Sequence, residues 1–132
     1  MNNPPITLMS FGFKYGPPSE ANMLFDVRFL PNPYWVPELE PLTGLDPAIQ
    51  EYFQHQALVQ GWIADLEHYL ITWLPHFHGN AQPEIVIAIG CTGGQHRSVY
   101  VVERLAALLH EQFNEIYIEH RDSSHWTQGR LL

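Results

Sequence analysis

The segment Gly90-Cys91-Thr92-Gly93-Gly94-Gln95-His96-Arg97-Ser98 brings a thiol, two hydroxyls, an imidazole and a guanidinium close together. Closely spaced glycines allow positive φ and close backbone approach, so the N–H groups of Thr92, Gly93 and Gly94 can face one anion. A helix N-terminus at the same place adds partial positive charge. Arg97 falls in the first turn of that helix, where a cation opposes the dipole by about a few tenths of a kcal/mol unless an anion lies between them. The segment therefore reads as an anion-binding loop, with Arg97 as a fork for phosphate or carboxylate and the Thr92 hydroxyl as a further donor. It lacks both the Gly-Lys-Ser/Thr of a nucleoside-triphosphate loop and the G-x-G-x-x-G of a dinucleotide site.

Five residues separate Cys91 from Arg97, followed by Ser98. This spacing resembles the phosphate loop of cysteine-dependent protein phosphatases, where a thiolate attacks phosphorus and the arginine holds the equatorial oxygens. A helix N-terminus and an arginine both favour a thiolate. That family carries a histidine before the cysteine, however, and here Gly90 stands there. Asp122 is the conjectured general acid. The simpler expectation is that Cys91 is a small buried residue lining an anion site.

Other candidates lie at predicted strand ends. Asp26 and Arg28 are two apart in an extended run and should share a face. Asp26 would accept from a hydroxyl or amine while Arg28 reaches the anion, or the two would pair with each other. Lys14 follows the first strand, and His120, Arg121 and Asp122 follow the last. His96 would bond a phosphate or hydroxyl, or stand as a surface histidine at the helix start. His76 and His78 lack third and fourth metal ligands, so no metal site is expected. Asn32-Pro33-Tyr34-Trp35 could cover a sugar ring, although a packed Pro-aromatic loop is the simpler expectation.

The elements that must position these residues follow from hydrophobic period. Strands are predicted over 6–11, 24–30, 84–90 and 116–119. Helices are predicted from Asp46, with Pro47 at its first position, to Gln56, then over 60–74 and 95–113. In the second helix Trp62, Ile63, Leu66, Tyr69, Leu70 and Trp73 recur at helical spacing, as core or as a subunit contact. Residues 84–120 form a βαβ pattern, which places its strands parallel. The fold expected is α/β, a mostly parallel sheet of about four strands flanked by helices, forming one domain over residues 1–132. If the first two strands are parallel too, Lys14, Arg28, Arg97 and Arg121 meet at one sheet edge, the edge where such folds bind ligands.

The whole chain has 132 residues, 6 Lys plus Arg and 14 Asp plus Glu, a formal charge of −8. That balance argues against long polyanions and anionic membrane surfaces. Residues 29–96 contain no Lys or Arg, so the cations sit toward the two ends. A single cysteine excludes a disulfide framework and points to a reducing cytoplasm. The start Met-Asn-Asn-Pro-Pro has no basic residue and leads into no long apolar run, so neither a signal peptide nor a membrane span is expected.

Several stretches resemble the C-terminal domain of the RapZ family of RNase adapter proteins. They are Ser10-Phe11-Gly12-Phe13-Lys14-Tyr15-Gly16, Phe25-Asp26-Val27-Arg28-Phe29-Leu30-Pro31-Asn32-Pro33-Tyr34 and Leu42-Thr43-Gly44-Leu45-Asp46. They continue with Ala88-Ile89-Gly90-Cys91-Thr92-Gly93-Gly94, His96-Arg97-Ser98-Val99 and His120-Arg121-Asp122. The resemblance implies an α/β domain with a pocket for a phosphorylated amino sugar such as glucosamine-6-phosphate. It also implies self-association and, in some members, binding of a small regulatory RNA. Family members carry a kinase-like domain with a Walker A loop, which this sequence lacks, so nucleotide hydrolysis is not expected. The tail from Ser123 offers only Arg130 as a cation, so RNA binding is not expected either. The function read from the sequence is a non-catalytic, cofactor-free module that binds a small phosphorylated ligand and signals to a protein partner, as a monomer or homodimer. A cysteine phosphatase using Cys91 and Arg97 is the alternative. The ligand-binding residues expected are Lys14, Asp26, Arg28, Cys91, Thr92, Gly93, Gly94, His96, Arg97, Ser98, His120 and Arg121.

Overall fold

The apolar run before the glycine loop forms the best-buried strand of a computed structural model that describes residues 4–77 and 84–126. This strand, β3 (Ile85–Cys91), is buried at all seven positions. It pairs in parallel with β1 (Ile6–Gly12) on one side and with β2 (Met23–Asp26) on the other. The shorter β4 (Ile116–His120) pairs in parallel with the far side of β1, giving the order β2-β3-β1-β4. Every pairing is parallel, so all four strands end at one edge.

Among the described residues three α-helices supply one core. They are α1 (Pro47–Gln54), α2 (Ala57–Trp73) and α3 (Arg97–Leu109). Ile49 and Phe53 of α1, Ile63, Leu66 and Leu70 of α2, and Val102, Leu105 and Leu109 of α3 pack with Ile6, Leu8, Ile85, Ile87 and Ile89. Those sheet residues alternate along β1 and β3 and so share one face. Met9, Phe11, Val86 and Ala88 point the other way and are also buried. The Phe13 ring stands edge-on to Phe11, with centroids 4.8 Å apart.

Several boundaries differ from the sequence reading. The second strand ends at Asp26 rather than Leu30. There the Asp26 carboxylate accepts from the Arg28 N–H at 2.9 Å, and Leu30 N–H donates to Val27 O at 3.1 Å, so the chain turns. Arg28 therefore lies in a turn, not on a strand face shared with Asp26. The third helix starts at Arg97 rather than Gln95, because Gly94 sits at φ +71 and His96 is the capping residue. It ends at Leu109, after which both Gln112 and Phe113 N–H donate to Leu109 O in a closing turn. Asp46 does occupy the position before Pro47, but its carboxylate accepts from Thr43 N–H at 2.7 Å and makes no capping bond to α1. The aromatic stripe of α2 divides: Ile63, Leu66 and Leu70 are buried, whereas Tyr69 and Trp73 are exposed.

Two glycines show why the loop after β3 has its composition. A Cβ on Gly94 would lie 2.6 Å from Gly12 N, at a φ of +71 that side chains rarely adopt. A Cβ on Gly90 would lie 2.3 Å from the Phe11 ring. The residue before the cysteine is thus small because Phe11 occupies the space where a histidine would stand.

Gly94→Ala should cost about 2–4 kcal/mol, from a left-handed backbone plus a steric clash. Gly61→Ala, at an exposed mid-helix position with open space around it, should instead gain about 0.5–1 kcal/mol. Urea denaturation midpoints of the two variants, moving in opposite directions, check both.

Candidate functional site

The connection from β1 leads past β3 to β2, and the connection from β3 leads past β1 to β4. The two leave the centre of the sheet in opposite directions, which opens a crevice beyond the ends of β1 and β3. A cavity of about 630 Å³ lies there. Lys14 and Tyr15 enter it after β1, and Cys91, Thr92, Gly93, Gln95, His96 and Arg97 after β3. The segment after β2 adds Asn32, Tyr34, Trp35 and Glu40, and the turn after β4 adds Ser124 and His125.

Arg97 is the central group. It is only 5% exposed, yet it forms no ion pair among the described residues. Its Nη1 donates to Arg28 O at 2.6 Å and to Leu30 O at 3.2 Å. Its Nη2 makes only a long contact, 3.4 Å, to Thr92 Oγ1. Carbonyl oxygens solvate the cation without neutralising it, so its charge is directed at the cavity. The loop itself is fixed from below. Lys14 N–H donates to Thr92 O at 3.1 Å, and the Trp126 indole donates to Gly94 O at 2.9 Å.

His96 is buried rather than on the surface, and its Nε2 lies 3.0 Å from Glu40 O. Burial pushes its pKa below the usual 6.5, a shift that hydrogen bonding to backbone carbonyls only partly offsets. A carbonyl can only accept, so the neutral ring carries its proton on Nε2 and keeps a lone pair on Nδ1. Cys91 is 2% exposed, and its Sγ lies 3.2 Å from Ser98 Oγ. Ser98 is fully buried and stands behind the cavity wall rather than in it.

Four of the predicted site residues reach the same sheet edge but not the cavity lining. Arg28 pairs with Asp26 at 2.7 Å and lies 3.9 Å over the Phe13 ring. These hydrogen bonds from Arg28 hold the Asp26 carboxyl below 3.8. Arg121 donates to Gly16 O at 2.6 Å and pairs with Asp122 at 3.0 Å. His120 bridges Ser10 Oγ at 2.7 Å and Glu103 Oε2 at 2.8 Å, tying β1, β4 and α3 together. Asp122, conjectured as a mobile general acid, is instead a buried anchor that accepts from Gly12 N–H at 2.8 Å. The four-cation cluster thus reduces to Lys14 and Arg97 in the cavity, with Arg28 and Arg121 neutralised beside it. Gly94 lies beneath the loop as its turning point.

Sequence reasoning missed Tyr15, Glu40, Gln95, Ser124 and His125. The stacked Tyr15–His125 pair, with centroids 4.1 Å apart, joins residues 110 positions apart and has no local signature. The Asn32-to-Trp35 turn was expected to pack. Pro33 does so, but Tyr34 is 51% and Trp35 77% exposed at the cavity. Among the described residues no group of three or more His, Cys, Asp or Glu could hold a metal. His78 and Arg130 lie outside the described residues.

A histidine whose folded pKa is depressed favours folding above its unfolded pKa near 6.5, and that contribution is lost as pH falls through the lower folded value. Stability should therefore decline as pH drops from 6.5. His96→Gln should flatten part of that slope in urea titrations at successive pH values, and the His96 NMR titration midpoint should lie below 6.5.

Residues 4–124 match the family model described as the RapZ C-terminal domain. The chain is 52% identical over 120 residues to a "Nucleotide-binding protein" of Shewanella loihica, covering 91% of this chain and 43% of that protein. It is 54% identical over 119 residues to a "Nucleotide-binding protein in ptsN-ptsO intergenic region" of Shewanella violacea, covering 90% of the chain and 42% of the relative. A "Nucleotide-binding protein" of Cellvibrio japonicus is 50% identical over 117 residues, 89% and 39% of the two lengths. The chain thus spans about two fifths of the length of these relatives. With the glycine loop, the parallel sheet and the family match in agreement, the chain belongs to the RapZ C-terminal domain family.

Proposed function

We propose that this chain is a regulatory module that binds a small phosphorylated molecule, a sugar phosphate above all, in the cavity beyond β1 and β3. The observation that carries the reading is Arg97. It is a desolvated guanidinium held by two carbonyls, with no carboxylate partner among the described residues, beside a glycine loop and at the start of α3. A phosphate there supplies the missing negative charge and accepts from the loop amides at the same time. Tyr34 and Trp35 offer exposed aromatic faces on which the C–H face of a sugar ring can rest. Membership of the RapZ C-terminal domain family supports the regulatory role.

Turnover has weaker support than binding. The Cys91 sulfur is buried against Ser98, and Asp122 is committed to Gly12 and Arg121. The same reading has the module working in the cytoplasm, handing its bound state to a protein partner and avoiding nucleic acid. A buried lone cysteine and a charge of −8 fit that setting, and among the described residues no helix is long and apolar enough to cross a membrane. The exposed Tyr69 and Trp73 on α2 offer a face for self-association.

In calorimetric titrations glucosamine-6-phosphate or inorganic phosphate should bind, and Arg97→Ala should weaken either by about 10–100-fold, the worth of a charge-assisted hydrogen-bond pair. Absence of binding by both ligands sinks the reading. An aryl phosphate should show no turnover near neutral pH, and turnover that disappears in Cys91→Ser would restore the phosphatase.

A further inference from the structure

The glycine loop is held by its carbonyls. Thr92 O accepts from Lys14 N–H at 3.1 Å, Gly94 O from the Trp126 indole at 2.9 Å, and Gln95 O from Gly44 N–H at 2.9 Å. A trans peptide is planar, with its C=O and N–H antiparallel, so each anchor also fixes the direction of the N–H that follows. Two of these three anchors are main-chain groups. The third is a side chain, delivered from 32 residues away by the short turn Ser123–His125 after β4. Its ring is half-buried and rests 5.6 Å from the His120 ring, and Trp126 N–H donates to Ser123 O at 3.1 Å. The indole therefore reaches the loop already oriented. It holds the loop where resistance to rotation is lowest, since Gly93 and Gly94 carry no side chains and Gly94 sits at φ +71.

We infer that Trp126 is a positioning residue for the anion loop: its indole N–H locks the peptide plane between Gly94 and Gln95 before a ligand arrives. The inference rests on phosphate binding in this cavity, and its failure is separable from the failure of that reading. Trp126 does not line the cavity, so it acts through the loop and not by touching the ligand. A loop ordered beforehand removes the cost of ordering it from the binding step. By linkage, bound phosphate in turn strengthens the indole bond.

The test is calorimetric titration of the full chain with inorganic phosphate, on wild type, Trp126→Phe and Trp73→Phe. Trp126→Phe keeps a ring beside His120 and loses only the donor. It should bind phosphate about 2–10-fold more weakly, the worth of one hydrogen bond. Trp73→Phe, on the exposed side of α2, should bind as wild type does. Circular dichroism melts establish that each variant is folded at the titration temperature. An indole that only packs would lower the melting midpoint and leave the affinity unchanged. In wild type, solvent exchange of the Trp126 indole N–H, followed by NMR, should slow when phosphate is added. If folded Trp126→Phe binds as tightly as wild type, or phosphate leaves the indole exchange unchanged, the positioning role is overturned while phosphate binding stands. If Trp126→Phe does not fold, the wild-type exchange decides alone. If inorganic phosphate does not bind wild type, phosphate binding fails and the role of Trp126 fails with it.

Discussion

A guanidinium taken out of water costs several kcal/mol unless other groups replace its solvation. Arg97 meets that constraint with the carbonyls of Arg28 and Leu30, which belong to the turn after β2. The bond to Arg28 O ties the start of α3 to a segment 69 residues away in sequence. For the carbonyls to be available, β2 must end early, and the Asp26 carboxylate enforces that by capturing the Arg28 N–H. For α3 to start where Arg97 can reach them, the loop must reverse tightly at Gly94 over the backbone of Gly12. Strand length, glycine placement and helix start are thus consequences of seating one cation.

The neighbouring charges are arranged so that this cation stays unneutralised. Arg28 and Arg121 arrive at the same edge, but each has an adjacent aspartate two residues or one residue away. Asp122 does two things at once: it pairs with Arg121 and anchors Gly12, the residue against which the loop packs. The carboxylates of Asp26 and Asp122 are held by Arg28, Arg121 and Gly12, and among the described residues no carboxylate lies within ion-pair distance of Arg97. An acidic chain keeps one small electropositive site in this way.

Much of the scaffold was legible from residue type and period. The nearly all-apolar run before the glycines reads as a strand covered on both faces, and the helices followed from apolar spacing and from Pro47. The glycine loop and Arg97 were legible because glycine and arginine are chemically conspicuous. The Asp26–Arg28 relationship was not, because a strand and a turn place residues two apart equally close, and only the hydrogen bond to the Arg28 N–H decides between them. Asp122 looked like an acid beside a catalytic loop, but burial against Gly12 made it structural.

The sequence by itself determined an α/β architecture with a βαβ unit and the position of the glycine loop, since these depend on local period and near-neighbour chemistry. That β1 and β2 run parallel to the others, so that all four strands end at one edge, was decided by strand pairing. Tertiary structure alone decided which groups face the cavity. Tyr15 with His125, the exposed Trp35, Glu40 and the buried Arg97 come from four separate strand ends. Whether a charged side chain is neutralised depends on what lies within about 4 Å of it, and that distance is set by packing between segments far apart in the chain.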